Sequence, residues 1–273
     1  MLRMKTETGW WLITHPDHAR LAGEFAAAWG NAFFRRPEPR ARVLYGITAH
    51  DDGWAARDAR PSITRQGKPS AFSTELVGKY SAFEEIDLAD YLAVRERAVR
   101  IIAESDPYAG LLIALHTYNL LTARADRSTI SAEQLPLLDA FLDRQRLYQG
   151  ELRAAIALDS TLSSEEKAGQ RIDEHFRLLQ ACDNLSLLTC VAFHATADLL
   201  HPLALNDGGT AEVRVLPIGL RHFRLKPWPF AESERVFKFP ARHIEGEIFE
   251  SSAELESAFD AAPQQMISVT LSK

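Results

Sequence analysis

Four side chains of the types that bind metal ions fall on the inward faces of predicted helices. His18 precedes Leu21 by three residues, which places it on the apolar side of the first helix. His50 and Asp51 continue the apolar side of the second helix, and Asp183 interrupts an apolar stripe on a later one. Because burial of an unpaired carboxylate costs several kcal/mol, these acids need a partner, which can be an arginine, a network of hydrogen-bond donors or a metal ion. A divalent metal ion bound by His18, His50, Asp51 and Asp183 satisfies that need.

The donor set indicates the chemistry without selecting the ion. Imidazole nitrogens combined with carboxylate oxygens suit Zn, Mn, Fe or Mg to different degrees, and the sequence does not choose among them. His116 lies on the apolar face of a neighbouring predicted helix, four residues before Leu120. We therefore expect His116 beside the cluster, where it takes part in catalysis without being required to hold the first metal.

The arrangement of these residues resembles the HD superfamily of metal-dependent phosphohydrolases. His18 stands 32 residues before His50, and the run His50-Asp51-Asp52-Gly53 is similar to the HDxG motif of that superfamily. Asp183 occupies the place of its last ligand, so that the resemblance covers roughly residues 14–200. It implies an HD-type helical bundle and a metal-activated water that attacks phosphorus, with Asp51 orienting or deprotonating that water.

A closer resemblance is to an uncharacterised bacterial family of unknown function, and it implies no activity. The shared segments are DHARLAGEFAAAWG (17–30), HDDGW (50–54), DPYAGLLIALH (106–116) and LLQACDNLSL (178–187). The chain departs from many HD hydrolases at Trp54, where they carry a basic residue. Dinuclear members have further histidines before the last acid, whereas this chain has only His116 and His175 there. His175 precedes Asp183 by about 12 Å along one helix, so a second metal is not expected.

Substrate contacts are predicted in and next to a long connecting segment. Residues 58–82 are rich in Pro, Gly and Ser, and a loop of that length in a compact domain often borders a site. Arg57 and Lys68 are candidates for binding a substrate anion. Trp54 adjoins the ligand pair and is the candidate for a wall of the substrate pocket.

The elements that must position these side chains are mostly helices. Thr14, Pro16 and Asp17 form a helix start signal, and Asp106-Pro107 forms another. Apolar periodicity predicts helices over 14–34, 40–54, 88–104, 107–123, 132–157, 165–198 and 251–261.

Short strand-prone runs occupy both ends of the chain. Residues 1–13 read as a hairpin that joins a C-terminal sheet, and the segment after Pro202 contains four β-branched or alternating runs. The predicted fold is therefore mainly α: an HD-type helical bundle over 14–202 with a small β-rich α+β subdomain over 203–273.

Composition excludes several classes of protein. The hydrophobic fraction of 46% and the charged fraction of 25% indicate a globular chain and argue against extensive disorder. With a net charge of −6 and dispersed basic residues, no nucleic-acid interface is indicated. The start of the chain does not resemble a signal peptide, and no apolar run reaches the ~18 residues of a membrane span. Cys182 and Cys190 are too far apart on one helix for a disulfide, so we expect a cytoplasmic protein.

Three functions are compatible with the sequence. The leading interpretation is a metal-dependent hydrolase of a small-molecule substrate, either a nucleotide or another phosphoester. An HD-type di-iron oxygenase of a small molecule is the second, and His116 as an added ligand would favour it. The third is a non-catalytic binding or regulatory module stabilised by its metal, with the segment 226–230 (KPWPF) as a partner surface. Nothing in the sequence indicates the oligomeric state.

Overall fold

The computed structural model describes residues 1–77 and 87–273, in which helices surround one side of a curled sheet. The last part of the predicted 58–82 loop, from residue 78, lies outside the described residues. The helices are α1 (His15–Ala28), α2 (Arg40–Thr48), α3 (Ala55–Asp58), α4 (Leu88–Ser105), α5 (Pro107–Ala123), α6 (Leu135–Leu158), α7 (Gly169–Cys190) and α8 (Ser252–Ala261).

Both predicted helix start signals are confirmed. The Thr14 side chain accepts a hydrogen bond from the Asp17 amide at the start of α1, and Asp106 accepts from the amides of Tyr108 and Ala109 at the start of α5. Three helices are shorter than predicted. The first ends at Ala28 because Trp29 adopts an extended backbone with φ −66° and ψ 136°, the second ends at Thr48, and the last long helix covers only Gly169–Cys190.

In residues 1–77 and 87–273, nine strands form one large sheet and one small one. They are β1 (Leu2–Lys5), β2 (Gly9–Ile13), β3 (Ala197–Asp198), β4 (Leu203–Ala204), β5 (Thr210–Ala211), β6 (Arg214–Gly219), β7 (His222–Lys226), β8 (Glu234–Glu245) and β9 (Gln264–Ser272). The seven-stranded sheet has the order β1-β2-β8-β9-β7-β6-β3, and β4 pairs with β5 separately. The β7–β9 pair is parallel, and the other pairs of the large sheet are antiparallel.

The prediction of a mainly α fold with a small C-terminal β-rich subdomain is wrong. Helices account for about half of the chain, and the seven-stranded sheet joins the first strands of the protein to the last. The longest strand, β8, spans twelve residues, of which sequence periodicity indicated only four. The remainder of β8 mixes Arg, His, Pro and Glu with apolar residues because one face and one end of this strand are exposed.

Helix α1 joins the two parts of the fold by packing against β8. The rings of Phe25 and Phe237 meet edge to face with centroids 4.8 Å apart, and Trp29 meets Phe230 at 6.0 Å. A single apolar core includes these residues together with side chains from α2, α5, α7 and β9. The sheet is therefore a layer of the same core that supports the helices. Among the described helices, none is both long and apolar enough to cross a membrane.

We predict that loss of the α1–β8 contact destabilises helices and sheet together. Phe25 is fully buried, so Phe25→Ala should lower the free energy of unfolding by about 3–5 kcal/mol. Urea unfolding followed by circular dichroism and by tryptophan fluorescence should show one shared transition at lower urea. Leu220, which is 81% exposed, provides the control, and Leu220→Ala should change stability by less than about 0.5 kcal/mol. Two separate transitions for Phe25→Ala would contradict a shared core.

Candidate metal centre

The four side chains predicted to bind a metal lie together in the interior. Nε2 of His18 is 3.1 Å from Oδ2 of Asp51, and Nε2 of His50 is 3.4 Å from Oδ1 of Asp183. The cross distances are similar: His50 Nε2 lies 3.9 Å from Asp51 Oδ2, and His18 Nδ1 lies 3.8 Å from Asp183 Oδ1. All four residues are buried, and Asp183 is the most exposed of them at 7%.

Close helix packing brings His18 and His50 together. Gly23 faces Thr48 where α1 crosses α2, and a Cβ atom at Gly23 would lie 2.1 Å from the Thr48 hydroxyl oxygen. Only glycine allows this approach, which sets the two histidine-bearing segments side by side. Asp51 is not helical, since it follows α2 in a turn with φ −117° and ψ 15°. This turn points Asp51 and His50 towards the same point.

A second glycine allows α4 to approach the motif. A Cβ atom at Gly53 would lie 2.6 Å from the Val94 carbonyl oxygen and 2.8 Å from Cβ of Ala98. The residue after Val94 is Arg95, whose Nη1 donates to Oδ1 of Asp51 at 2.6 Å. The glycine of the HDxG-like run thus has a steric role: it admits the helix that carries the counter-charge of Asp51.

Sequence reasoning missed Arg95, although a signal for it was present. Arg95 lies on the buried face of α4 between Tyr91 and Val99, and it interrupts an apolar stripe as Asp183 does on α7. The Arg95 guanidinium lies 5.2 Å from the Trp54 ring centroid and donates to the Tyr91 hydroxyl. A buried cation on such a stripe implies a buried anion opposite it.

Hydrogen bonds fix the tautomers of both histidines. Nδ1 of His50 donates to the Ile47 carbonyl at 2.7 Å, which leaves Nε2 to carry the lone pair of a neutral ring. Within residues 1–77 and 87–273, this Nε2 atom is buried without a hydrogen bond. Nδ1 of His18 lies 2.9 Å from Ser186 Oγ, whose own hydroxyl donates to the Asp183 carbonyl. His18 therefore donates through Nδ1 as well, and its Nε2 also presents a lone pair.

These lone pairs fit a metal ion. Two lone pairs of His18 Nε2 and Asp51 Oδ2 facing each other at 3.1 Å repel unless a cation or a proton lies between them. Metal bonds of ~2.0–2.2 Å place adjacent ligand atoms about 3 Å apart at right angles. A histidine that donates its other ring proton to a carbonyl or hydroxyl oxygen is the arrangement usual for metal ligands. Ser186, one helical turn after Asp183, is a supporting residue that sequence reasoning did not single out.

His116 lies close enough to the other four side chains to join them around one ion. The possible ligands form two overlapping groups. One group is His18, His50 and Asp51, and the other is His50, His116 and Asp183. In each group the ligand atoms lie within 4.8 Å of one another. His50 belongs to both groups but has only one free ring nitrogen. The two groups therefore describe one centre with up to five protein donors. Nδ1 of His116 contacts Gln180, so Nε2 is its available nitrogen.

In the metal-free protein, the centre contains as many positive charges as negative charges. Burial disfavours ionised carboxylates, but Arg95 and the protonated ring of His50 outweigh this effect and hold the pKa of Asp51 well below its usual range. Burial likewise opposes protonation of His50, yet Asp51 and Asp183 raise its pKa to about 9. Two carboxylates thus face one guanidinium and one imidazolium. Burial lowers the pKa of His116 to about 3, so that ring stays neutral.

The predicted substrate-binding residues occupy different surroundings. Trp54 is buried and stacked on His15, with ring centroids 4.5 Å apart, while the Arg57 guanidinium lies 5.5 Å from the Trp54 ring centroid. Trp54 therefore lies next to the centre, against Arg95, and Arg57 lies against Trp54. Lys68 lies in a turn whose neighbour Gly67 contacts Phe249 near the sheet. Among the described residues, no hydrogen bond or ion pair joins the Lys68 side chain to the centre.

Comparison with known proteins identifies a family. A family model described as "Protein of unknown function (DUF3891)" matches residues 1–246. The chain belongs to this family. The match includes every residue of the centre and most of the sheet, and the family's description gives no activity. Searches of curated proteins and of solved structures found no match.

We predict that Arg95 is needed to keep Asp51 buried as an anion. Arg95→Met should lower the free energy of unfolding of metal-free protein by about 3–5 kcal/mol, because it leaves a buried carboxylate without its partner. Arg97→Met is the matched control on the exposed side of α4 and should change stability by less than about 0.5 kcal/mol. Equal effects of the two substitutions, measured by urea unfolding in EDTA, would contradict this role.

We also predict that metal-free protein loses stability in mild alkali. The pKa of His50 is raised from 6.5 to about 9, so its stabilising contribution is complete below pH 6.5 and is lost as pH rises through about 9. The unfolding free energy should fall across this window by up to about 1.4 kcal/mol per pH unit. Denaturation in EDTA at pH 6 to 9 measures it, and His50→Gln should flatten the profile. Identical profiles for the two proteins would exclude His50 as the titrating group.

Proposed function

We propose that this protein is a metal-dependent hydrolase of a small phosphoester or nucleotide. The observation that supports this most directly is the fixed pair of tautomers. When both rings are neutral, as metal binding requires, the lone pairs of His18 Nε2 and His50 Nε2 are directed at two buried carboxylates, Asp51 and Asp183, around one point. The spacing of these residues in the chain resembles the HD superfamily, in which this ligand order supports phosphoester hydrolysis.

The donor set suits a divalent ion that activates water. Such an ion polarises a bound water and lowers its pKa, which supplies a nucleophile at neutral pH. His18, His50, Asp51 and Asp183 would hold such an ion, with His116 as a possible fifth donor. Asp183 has the most exposed side chain of the four, at 10%, so we expect water and substrate to approach from its side.

The contacts of Asp51 support a part for it in the reaction. Burial would raise the pKa of Asp51, but the Arg95 guanidinium bound to its Oδ1 holds that pKa well below the usual range. Asp51 therefore orients a water by accepting its hydrogen bond through Oδ2 and is a poor acceptor of the proton itself. His116 is neutral and lies beside Asp183, where its ring can donate a hydrogen bond to a reacting group when it is not bound to the ion. Arg57, next to Trp54, is the nearest candidate for binding a substrate anion.

Two other functions differ from this proposal in their metal. A di-iron oxygenase needs a second ion, whereas the single free nitrogen of His50 favours one centre. In a non-catalytic binding or regulatory module, the metal only stabilises the protein, so it needs no coordination position for water and the protein turns over no substrate. Elemental analysis of protein purified without added metal, combined with an assay of phosphoester hydrolysis, separates these cases. One ion per chain with turnover supports the hydrolase, two irons with a visible absorption band support the oxygenase, and one ion without turnover supports the structural role.

The decisive variant is Asp183→Asn, with Asp173→Asn on the same helix as control. Asp173 pairs with Arg177 and its side chain is 49% exposed. Asp183→Asn should weaken Mn²⁺ and Zn²⁺ binding by at least about tenfold, the loss that follows even when a supporting contact of a ligand is removed. Hydrolysis of p-nitrophenyl phosphate and bis(p-nitrophenyl) phosphate should disappear with it, while Asp173→Asn retains both properties. Unchanged metal content with a lowered melting temperature would remove Asp183 from the centre.

A further inference from the structure

Gln180 connects the metal centre to a histidine outside it. It lies on α7 one helical turn before Asp183 and is fully buried. Nε2 of Gln180 is 2.9 Å from Nδ1 of His116, and its Oε1 is 3.4 Å from Nε2 of His201. The tautomer of His116 thus depends on the side-chain amide of Gln180. The tautomer of His50 depends on the Ile47 carbonyl, and that of His18 depends on the Ser186 hydroxyl.

The two ends of this amide impose opposite tautomers on His116. A neutral imidazole has one ring proton and one lone pair. When Nε2 of Gln180 donates to Nδ1 of His116, the ring proton must lie on Nε2, and that nitrogen cannot bind an ion. When the amide turns by 180°, its oxygen accepts from Nδ1–H, and Nε2 of His116 presents its lone pair. The turn exchanges atoms of nearly equal size and needs no other movement.

The second orientation gives all three histidines of the centre the same tautomer. His50 and His18 already donate through Nδ1, to Ile47 and Ser186. His201 satisfies the other end of the amide in either orientation, because a neutral imidazole can donate or accept at Nε2 according to its tautomer. His201 has a φ of +66°, a conformation that is uncommon for residues other than glycine.

We propose that Gln180 determines whether His116 is a ligand of the metal centre, and that metal binding turns its amide so that the oxygen faces His116. This inference rests on the metal centre of the proposed function and not on its substrate. Gln180 is a positioning residue in this scheme, because it acts through the His116 ring and does not itself contact the ion.

Cobalt binding tests the proposal without measuring activity. Co²⁺ reports affinity by competition with a chelator, and its visible spectrum reports the ligands around it. Gln180→Leu should weaken Co²⁺ binding by about tenfold and change the spectrum, because the His116 tautomer is no longer held. In a His116→Ala background the same substitution should have no further effect. Gln145→Leu is the control, because Gln145 is a buried glutamine on α6 outside both ligand groups.

A conservative variant separates tautomer control from packing. Gln180→Glu places an acceptor at both ends of the side chain, so it should retain the wild-type Co²⁺ spectrum that Gln180→Leu loses. In Zn²⁺-loaded wild-type protein with ¹⁵N-labelled histidine, His116 should carry its proton on Nδ1. A proton on Nε2 would overturn the proposal, as would equal losses of affinity with and without His116.

The inference and the proposed function can fail separately. If wild-type protein binds Co²⁺ with one ion per chain and Gln180→Leu binds it equally well with an unchanged spectrum, the role of Gln180 is wrong and the metal centre stands. If wild-type protein binds neither Co²⁺ nor Zn²⁺, both are wrong. Circular dichroism melting of each variant shows whether it is folded, and Gln180→Met replaces Gln180→Leu if the latter is not.

Discussion

The structure is organised around the neutralisation of two buried carboxylates. Asp51 and Asp183 come from different parts of the chain and meet in an interior where an unpaired charge costs several kcal/mol. Arg95 supplies one positive charge through a direct hydrogen bond to Asp51. The second positive charge comes from His50 in the metal-free protein, and a divalent ion would take over that part. The two buried carboxylates thus need a second positive charge. The protonated His50 ring supplies it in the metal-free protein, and a bound divalent ion would supply it otherwise.

The surrounding scaffold places these charges by close helix contacts. Gly23 lets α1 cross α2 at short distance, and Gly53 admits α4 with Arg95 against the turn that carries Asp51. The other face of α1 packs on the sheet through Phe25 and Phe237. One helix therefore contributes His18 to the centre and an aromatic side chain to the sheet, which couples the centre to the whole fold.

Hydrogen bonds to neighbouring groups determine which nitrogen of each histidine ring faces the centre. Ile47 and Ser186 hold two imidazole rings so that Nε2 of each points inward, and Gln180 contacts the third ring. Ser186 and Gln180 flank Asp183 by one helical turn on either side, so α7 carries a ligand and two of its supporting groups on one face. Five candidate donors converge on one point because these second contacts leave each imidazole with a single free nitrogen.

The sequence by itself determined the identity of the inward-facing polar residues. His18, His116 and Asp183 lie on apolar helix faces, which periodicity detects because neighbours at three and four residues share a side. His50 and Asp51 are buried as well, although they lie in the turn after α2 and not on its helical face. The start signals at Thr14 and Asp106 were equally local. Only the tertiary structure decided which positively charged group neutralises which carboxylate. The pairing of Arg95 with Asp51, 44 residues apart, depends on the approach of α4 to Gly53.

The extent of the sheet was also decided only by the tertiary structure. Strand β8 pairs with β2 on one side and with β9 on the other, and these contacts stabilise a twelve-residue strand in which only part of the sequence alternates. Strand formation depends on partners that are distant in the chain, whereas helical hydrogen bonds are made within it. For that reason the helical half of the protein was accessible to local patterns, and the sheet that spans both ends of the chain was not.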